Sequence, residues 1–381
     1  MKLCDITMFY SESGGGVRRY LERKRWWLRR SHPEVEHLLV VPGEGSSYER
    51  HGRHIKVTVG GLRLPFAPGY RLPVSYGEIN EILALEKPDI IEAASPFTMR
   101  RAVSRHLRRH RSAHAFDYYH AYFPRSYAAA LGRPLLFLKR PLLTLGWKYL
   151  RWVYKDSSGV LVASPVIRDV LETHGIRNTH LAPLGVDLAR FVPGSARKPL
   201  AKPTILFVGR LTEEKGISVL IETYRLLRQR MDVGMTIAGS GLLKDMIEDM
   251  AERDSDLTYL DFVPNDRMPE VYRRATMLVS AAPTETLGLY FLEALACGIP
   301  VVGLSGSGLM DVFPRTVAIP VPRQNSELLA RACQRFLEDP PPPEACRRAA
   351  MRFSWEQRLE RILRLQFHLA GLELPSKESR K

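Results

Sequence analysis

The side chains best suited to chemistry cluster in the second half of the chain. Arg210 and Lys215 stand in the string GRLTEEKG, where an apolar run (TILFV) gives way to a glycine and then to a helical pattern. Two cations at a strand end, next to the free N–H groups of a helix start, suit a diphosphate or another anionic group. The same residues also read as solvated loop charges paired with Glu213 and Glu214. Further on, in PTETLGLYFLEALACGIPVV, seven residues separate Glu285 from Glu293, and Gly288 and Leu289 lie between them at a helix start. The N–H groups there can meet a phosphate. Carboxylates at these positions suit sugar and ribose hydroxyls, from which each oxygen accepts charge-assisted hydrogen bonds; isolated, both would read as surface groups. In the first half, Gly15 and Gly16 follow a short apolar run, and His120 closes a tyrosine-rich one (FDYYH). Glycines permit close backbone approach. His120 reads either as a satisfied core histidine or as a functional group near neutral pH.

The elements that must position these groups alternate. KLCDITMFY, HLLVVPG, HIKVTVGG and PDIIEAAS read as strands, with helices near 17–30 and 76–85. The second half restarts the series with TILFVGR, MTIAGSG, LTYLDFV, MLVSAAP and IPVVGL as strands; helices fall near 216–230, 242–253, 268–275 and 289–296. Strand, helix, strand in repetition implies parallel sheets covered on both faces, because a parallel pair needs a crossover. Two such series predict two doubly wound α/β domains, whose ligands gather at the carboxyl ends of the strands. PGSARKPLAKP (193–203) lacks apolar periodicity and reads as the linker, so the domains are expected at 1–195 and 196–353, with a further basic helix after PPPP (340–343). The AGSG turn at 238–241 reads as a helix entry, and Asp187 as a residue that shapes its loop.

Composition narrows the field. Of 381 residues, 45% are hydrophobic and 25% charged, as in ordinary globular proteins. The four cysteines form no C-x-x-C pair and no zinc spacing, which sets aside a disulfide scaffold and a zinc module and fits a reducing compartment. No stretch reads as a membrane-spanning helix or a signal peptide. The net charge of +15 lies entirely in residues 1–200, which hold 32 Lys and Arg against 17 acids; the remainder is neutral. Between 100 and 155 stand 13 basic residues and one acid, Asp117, interleaved with Leu, Trp and Tyr, and VRRYLERKRWWLRR (17–30) adds Trp26 and Trp27. Cations beside such residues suit an anionic membrane surface; the alternative is a solvated basic face.

Taken together, GRLTEEKG, the Glu-seven-Glu segment ending LEALACGIPVV, and PLGVDLARFVP (183–193) resemble glycosyltransferase family 4. GGGVRRY, PDIIEAASP, YYHAYFP and RFSWEQRLERIL agree with that resemblance, which covers nearly the whole chain. It implies the GT-B fold, two Rossmann-like domains facing across a cleft, with a terminal helix (354–381) that returns to the first domain. It also implies a retaining glycosyltransferase that moves a hexose from a UDP- or GDP-sugar to a lipid-linked, glycolipid or polysaccharide-precursor acceptor. Carried over position by position, Arg210 and Lys215 would hold the donor diphosphate, Glu285 would contact the hexose, and Glu293 would meet the ribose. Gly288 and Leu289 would supply N–H groups, and the Val263 backbone would meet the base. Gly15 and Gly16 would approach the diphosphate and sugar, and His120 would sit by the reacting sugar. Thr286, Leu287, Leu184 and Ala121 depart from the family pattern, so the resemblance carries the reaction type further than the donor sugar. By the same resemblance, transfer is expected to need no metal and no cofactor besides the nucleotide sugar. The expected partners are that sugar and an anionic membrane surface or lipid-linked acceptor, and no nucleic acid. The expected place is the cytoplasm, peripheral on the inner face of the membrane. A basic membrane- or nucleic-acid-binding protein with a degenerate sugar site is the other reading.

Overall fold

The computed structural model describes residues 1–10, 15–64, 67–73, 75–122, 139–194 and 202–375. Gly14, residues 123–138, the linker stretch 195–201 and the last six residues lie outside them. The chain divides into two compact units, Met1–Ala182 with Leu359–Lys381, and Pro183–Arg358.

The first unit is built on β1 (Lys2–Ile6), β2 (Glu36–Gly43), β3 (Ser47–His51), β4 (His54–Leu64), β5 (Ala67–Pro73), β6 (Ile90–Ala93), β7 (His114–Tyr119), β8 (Gly159–Val162) and β9 (Thr179–Leu181). Their order is β3-β4-β2-β1-β6-β7-β8-β9, with β5 paired to β4. All neighbours from β4 to β9 run parallel, and β3 and β5 join β4 antiparallel. Continuous apolar runs such as Leu38–Val41 are buried because helices cover both faces of the sheet. Helix Tyr76–Glu86 starts where the Ser75 hydroxyl accepts from the Glu78 N–H at 3.1 Å. The antiparallel strands β3 and β5 are additions that the expected βαβ series did not include. So are helices Thr98–Arg109 and Lys139–Val153, whose charge masked their periodicity.

The second unit carries β10 (Thr204–Val208), β11 (Gly234–Ala238), β12 (Leu257–Leu260), β13 (Met277–Val279), β14 (Val301–Leu304) and β15 (Ala318–Val321). All run parallel in the order β12-β11-β10-β13-β14-β15. Its core joins Ile205 and Phe207 of β10 to Leu220 and Tyr224 of helix Ile217–Arg228 and to Leu329 and Phe336 of helix Ser326–Glu338.

The doubly wound reading holds for both units, and their limits need correction. The division falls at Ala182/Pro183 instead of 195/196, because residues 183–194 are fastened inside the second unit. There the Val186 N–H donates to the Phe353 carbonyl at 2.8 Å, and Arg347 donates to the carbonyls of Leu188 (2.6 Å) and Ala296 (3.0 Å). The segment that belongs to the first unit begins at Leu359, within helix Trp355–Leu369, and not at 354.

Candidate functional site

In the second unit the chain winds outward from β10 through β11 to β12, then returns to β13 on the other side of β10. The switch point therefore lies between β10 and β13, where an open α/β sheet leaves a crevice at its carboxyl edge. Arg210 follows β10, Lys215 ends a short 3-10 turn (Glu213–Lys215) ahead of helix Ile217–Arg228, and Glu285 follows β13. Two of the three meet. Lys215 Nζ lies 2.5 Å from Glu285 Oε1, both side chains largely buried. The Tyr290 hydroxyl reaches the same oxygen at 3.0 Å and lies 3.0 Å from Ser280 Oγ. Burial and the nearby Glu285 charge hold the Tyr290 phenol well above its ordinary pKa, so it stays protonated as a donor. Arg210 is not part of this cluster. It is exposed and pairs with Glu214 four residues on, as the solvated-charge alternative described.

Gly288 opens helix Leu289–Ala296 with φ 75°, a left-handed conformation that favours glycine, and a Cβ there would stand 2.6 Å from the Phe291 ring. Glu293 lies one turn into that helix and is 6% exposed; its Oε2 accepts from the Tyr272 hydroxyl at 2.8 Å. Val263 sits half-buried in the loop after β12, next to the exposed Phe262.

Two supporting loops escaped the sequence reading. The AGSG turn leads into the helix that starts at Lys244, whose N–H donates to the Gly241 carbonyl at 3.1 Å, and it does more: a Cβ on Gly239 would collide with the Gly209 carbonyl, and Leu211 N–H donates to the Ser240 carbonyl at 3.0 Å. This turn therefore braces the loop that bears Arg210. After β14, the Gly308 and Leu309 N–H groups donate to the Glu285 and Leu287 carbonyls at 3.1 and 3.2 Å, pinning the Glu285 loop. Glycines in SGSG were the available signal. Asp187 shapes its loop as expected, its Oδ1 accepting from the Ala189 and Arg190 N–H groups.

In the first unit the switch point lies between β1 and β6. Gly15 (φ 109°) and Gly16 begin helix Gly16–Ser31 after β1, and His120 follows β7. Both belong to the carboxyl edge of the sheet. The His120 ring stacks on Tyr118, with centroids 3.9 Å apart and planes 2° from parallel, and Tyr20 stands at 5.6 Å. Burial, with the charge of Lys24, pushes the His120 pKa down to about 3, so the ring is neutral at ordinary pH.

Behind this stack lies a buried polar network. Lys24 Nζ binds Asp5 (2.6 Å) and Glu92 (2.9 Å), His37 Nε2 lies 2.7 Å from Asp5, and Tyr20 and Gln366 donate to Glu92 at 3.1 and 2.6 Å. Burial resists the Asp5 charge, yet Lys24 and His37 outweigh it and hold the Asp5 pKa below the usual carboxylate value. Burial lifts that of Glu92, which Lys24 only partly offsets. Lys24 therefore does not contribute to the basic surface expected over 17–30. Trp27 is also withdrawn from it, buried against His32, whereas Trp26 is exposed. Likewise Arg100, the first of the basic 100–155 run, is fully buried on Asp117 and Asp156 at 2.7 Å each.

No helix among the described residues is long and apolar enough to cross a membrane, and no group of three or more potential metal ligands gathers there. The four cysteines are free and buried.

Two family models cover most of the chain: Glycosyltransferase Family 4 over residues 14–190 and Glycosyl transferases group 1 over residues 191–353. A GDP-mannose-dependent alpha-mannosyltransferase of Corynebacterium glutamicum is 27% identical over 289 residues, 72% of this chain and 66% of that protein. A GDP-mannose-dependent alpha-(1-6)-phosphatidylinositol dimannoside mannosyltransferase of Mycobacterium tuberculosis is 28% identical over 330 residues, 82% of each chain. Among solved structures, sucrose-phosphate synthase from Thermosynechococcus elongatus superposes with a TM-score of 0.78 over 97% of this chain and all of that one, at 18% identity.

Proposed function

The chain belongs to glycosyltransferase family 4 and has the GT-B fold, and from that premise we propose that it transfers a hexose, with retention, from a nucleotide diphosphate sugar to a lipid-linked or glycolipid acceptor. The observation that carries this reading is the Lys215–Glu285 pair at the switch point between β10 and β13. Lys215 would stabilise the charge that develops on the departing diphosphate, aided by Arg210 once Glu214 gives way to the anion. Glu285, held by Lys215 and Tyr290, would orient a hexose hydroxyl. It is a poor nucleophile there, since one oxygen already meets a cation and a phenol. Retention would then come from attack of the acceptor on the face from which the diphosphate leaves, with a phosphate oxygen receiving the acceptor's proton. Gly288 and Leu289 would give N–H groups to the phosphates, Glu293 would accept from the ribose, and the Val263 backbone would meet the base. Neutral His120, with Gly15 and Gly16, would serve the reacting sugar.

GDP-mannose is the favoured donor, because both mannosyltransferases above use it by name. No metal is required in this scheme, as Lys215 supplies the cation; activity should survive a chelator. Thermal shift with GDP and UDP tests the donor. GDP should stabilise the wild type, and Glu293→Ala should weaken its binding by roughly 10- to 100-fold, the value of a charge-assisted hydrogen bond pair. No stabilisation of the wild type by either nucleotide would sink the reading.

An anionic membrane surface is the second half of the proposal, on the cytoplasmic face. It is favoured by helix Lys139–Val153, which exposes Leu142, Leu145 and Trp152 among Arg140, Lys148 and Arg151, with Lys155 5.9 Å from the Trp152 ring.

A further inference from the structure

In the first unit, a surface pocket of about 350 Å³ opens between the outer side of helix Gly16–Ser31 and the β3–β4 hairpin. The helix contributes Glu22, Arg25, Trp26 and Arg29; the hairpin contributes Glu49, His51 and Lys56. It lies toward the amino ends of the parallel strands: Lys56 precedes Gly60, which pairs with the last residue of β2, by four residues, roughly 13 Å of strand. It adjoins Tyr10, whose ring lies 5.9 Å from Lys56 Nζ, and neither Gly15 nor His120 lines it.

Its wall holds a largely buried cation with no ion pair among the described residues. Arg25 is 7% exposed, yet its guanidinium, with five donors, makes one long contact, 3.4 Å to the Ile55 carbonyl. Burial and the neighbouring Arg29 act against its charge, and Glu22, Tyr10 and Glu49 offset them only in part. Of the two acids near by, Glu22 already accepts from Tyr10, and Glu49 sits exposed opposite Lys56 in the hairpin register. A buried guanidinium beside a second one is stabilised by an anion with several acceptor oxygens, which phosphate supplies in a geometry matched to the fork. At the lip stands Trp26, exposed, with the guanidinium carbons of Arg23 and Arg30 at 4.3 and 5.0 Å from its ring. An indole clasped by cations beside a pocket that holds Arg25, Arg29 and Lys56 matches the depth order of a membrane interface, in which rings sit at the level of the glycerol and charges meet the phosphates.

We propose that this pocket binds the phosphate of an anionic phospholipid headgroup, Arg25, Arg29 and Lys56 taking its oxygens while Trp26 enters the interface. This rests on the membrane half of the function proposed above, and it names a lipid site that is distinct from the acceptor's. The test uses the full chain, sedimented with phosphatidylcholine vesicles with and without phosphatidylglycerol at about 0.15 M salt. Arg29→Gln/Lys56→Gln is compared with Arg105→Gln/Arg111→Gln, which removes the same charge from exposed positions of the same unit. Arg25 is left in place because its burial makes it a folding risk. The pocket variant should lose tenfold or more in affinity for phosphatidylglycerol vesicles relative to the control pair, while its melting temperature and donor hydrolysis stay at wild-type values. Equal losses in the two variants would make the attraction diffuse and overturn the site, leaving membrane binding intact. A wild type that ignores both vesicle types would overturn the membrane reading and this site together. Stabilisation by soluble glycerol phosphate without vesicle binding, lost in the pocket variant, would make the pocket a site for a soluble anion and overturn the lipid assignment.

Discussion

Lys215 and Glu285 show how much a single pair can ask of its surroundings. Both are largely buried, so neither can be removed without leaving the other uncompensated. Lys215→Met should therefore lower the transfer rate by roughly 10²- to 10³-fold, the usual loss when one charge-stabilising donor is deleted; steady-state kinetics with the donor saturating would show it, and an unchanged rate would remove Lys215 from the chemistry. His120 makes a different prediction. Its folded pKa of about 3 lies below the unfolded value of about 6.5. Between those values the unfolded chain binds the extra proton, so this residue makes stability rise with pH through that window and fall as pH drops below about 6.5. His120→Asn should flatten that slope in urea midpoints measured from pH 4 to 7, while a slope unaltered by the change would assign it to other groups. Sequence made these residues legible to different degrees. Glu285 and Lys215 were singled out by the strand ends and helix start that bracket them, and the family resemblance gave them their roles. Tyr290 and Tyr272, which hold the two carboxylates, were missed because tyrosines on helices look like ordinary core.

At the scale of elements, most of the parallel strands and helices were legible, since continuous apolar runs between amphipathic stretches leave few other arrangements; the short β8, β9 and β15 were not read. Strand β3 was not, for its five residues are all exposed and carry no alternation. Helix Thr98–Arg109 was read only as charge because Arg100, one of its buried residues, faces Asp117 inside instead of solvent. The Lys24 network binds more elements than any other polar contact described above: helix Gly16–Ser31 through Lys24 and Tyr20, β1 through Asp5, β2 through His37, β6 through Glu92, and helix Trp355–Leu369 through Gln366. Lys24→Met strands two buried carboxylates and should cost about 3–5 kcal/mol in urea unfolding. Gln366→Leu takes one donor from Glu92 while leaving Lys24 and Tyr20 in place, so it should cost about 1–3 kcal/mol and raise amide exchange in residues 359–369 before it changes the sheet. Uniform exchange throughout the unit would show that the returning helix is not a separate cooperative piece.

For the whole molecule, the charge asymmetry is the property with the longest reach. The excess of +15 sits in residues 1–200, and the structure removes some of it from view by burying Lys24 and Arg100 in ion pairs. Exposed cations that remain, among them Arg29, Arg30, Arg105, Arg111, Arg140, Lys148 and Arg151, would carry the proposed attraction to an anionic surface. Vesicle binding should accordingly weaken steeply between about 0.05 and 0.5 M salt as the screening length shrinks; salt-independent binding would transfer the attraction to Leu142, Leu145 and Trp152. Charge arithmetic located this half of the molecule but not its working surface, because a count does not distinguish a buried guanidinium from a solvated one.

The first unit is assembled from two separated stretches of sequence, Met1–Ala182 and Leu359–Lys381. A ribosome delivers the chain from one end, so the segment Pro183–Arg358 has all of its own parts in hand while the older unit still lacks its last one. Until Gln366 and Glu360 emerge, Glu92 and His32 wait without the partners they hold at 2.6 and 2.8 Å. The unit born first is therefore the one completed last, and a released chain truncated before residue 359 should display a protease-sensitive amino-terminal half beside a protected later one.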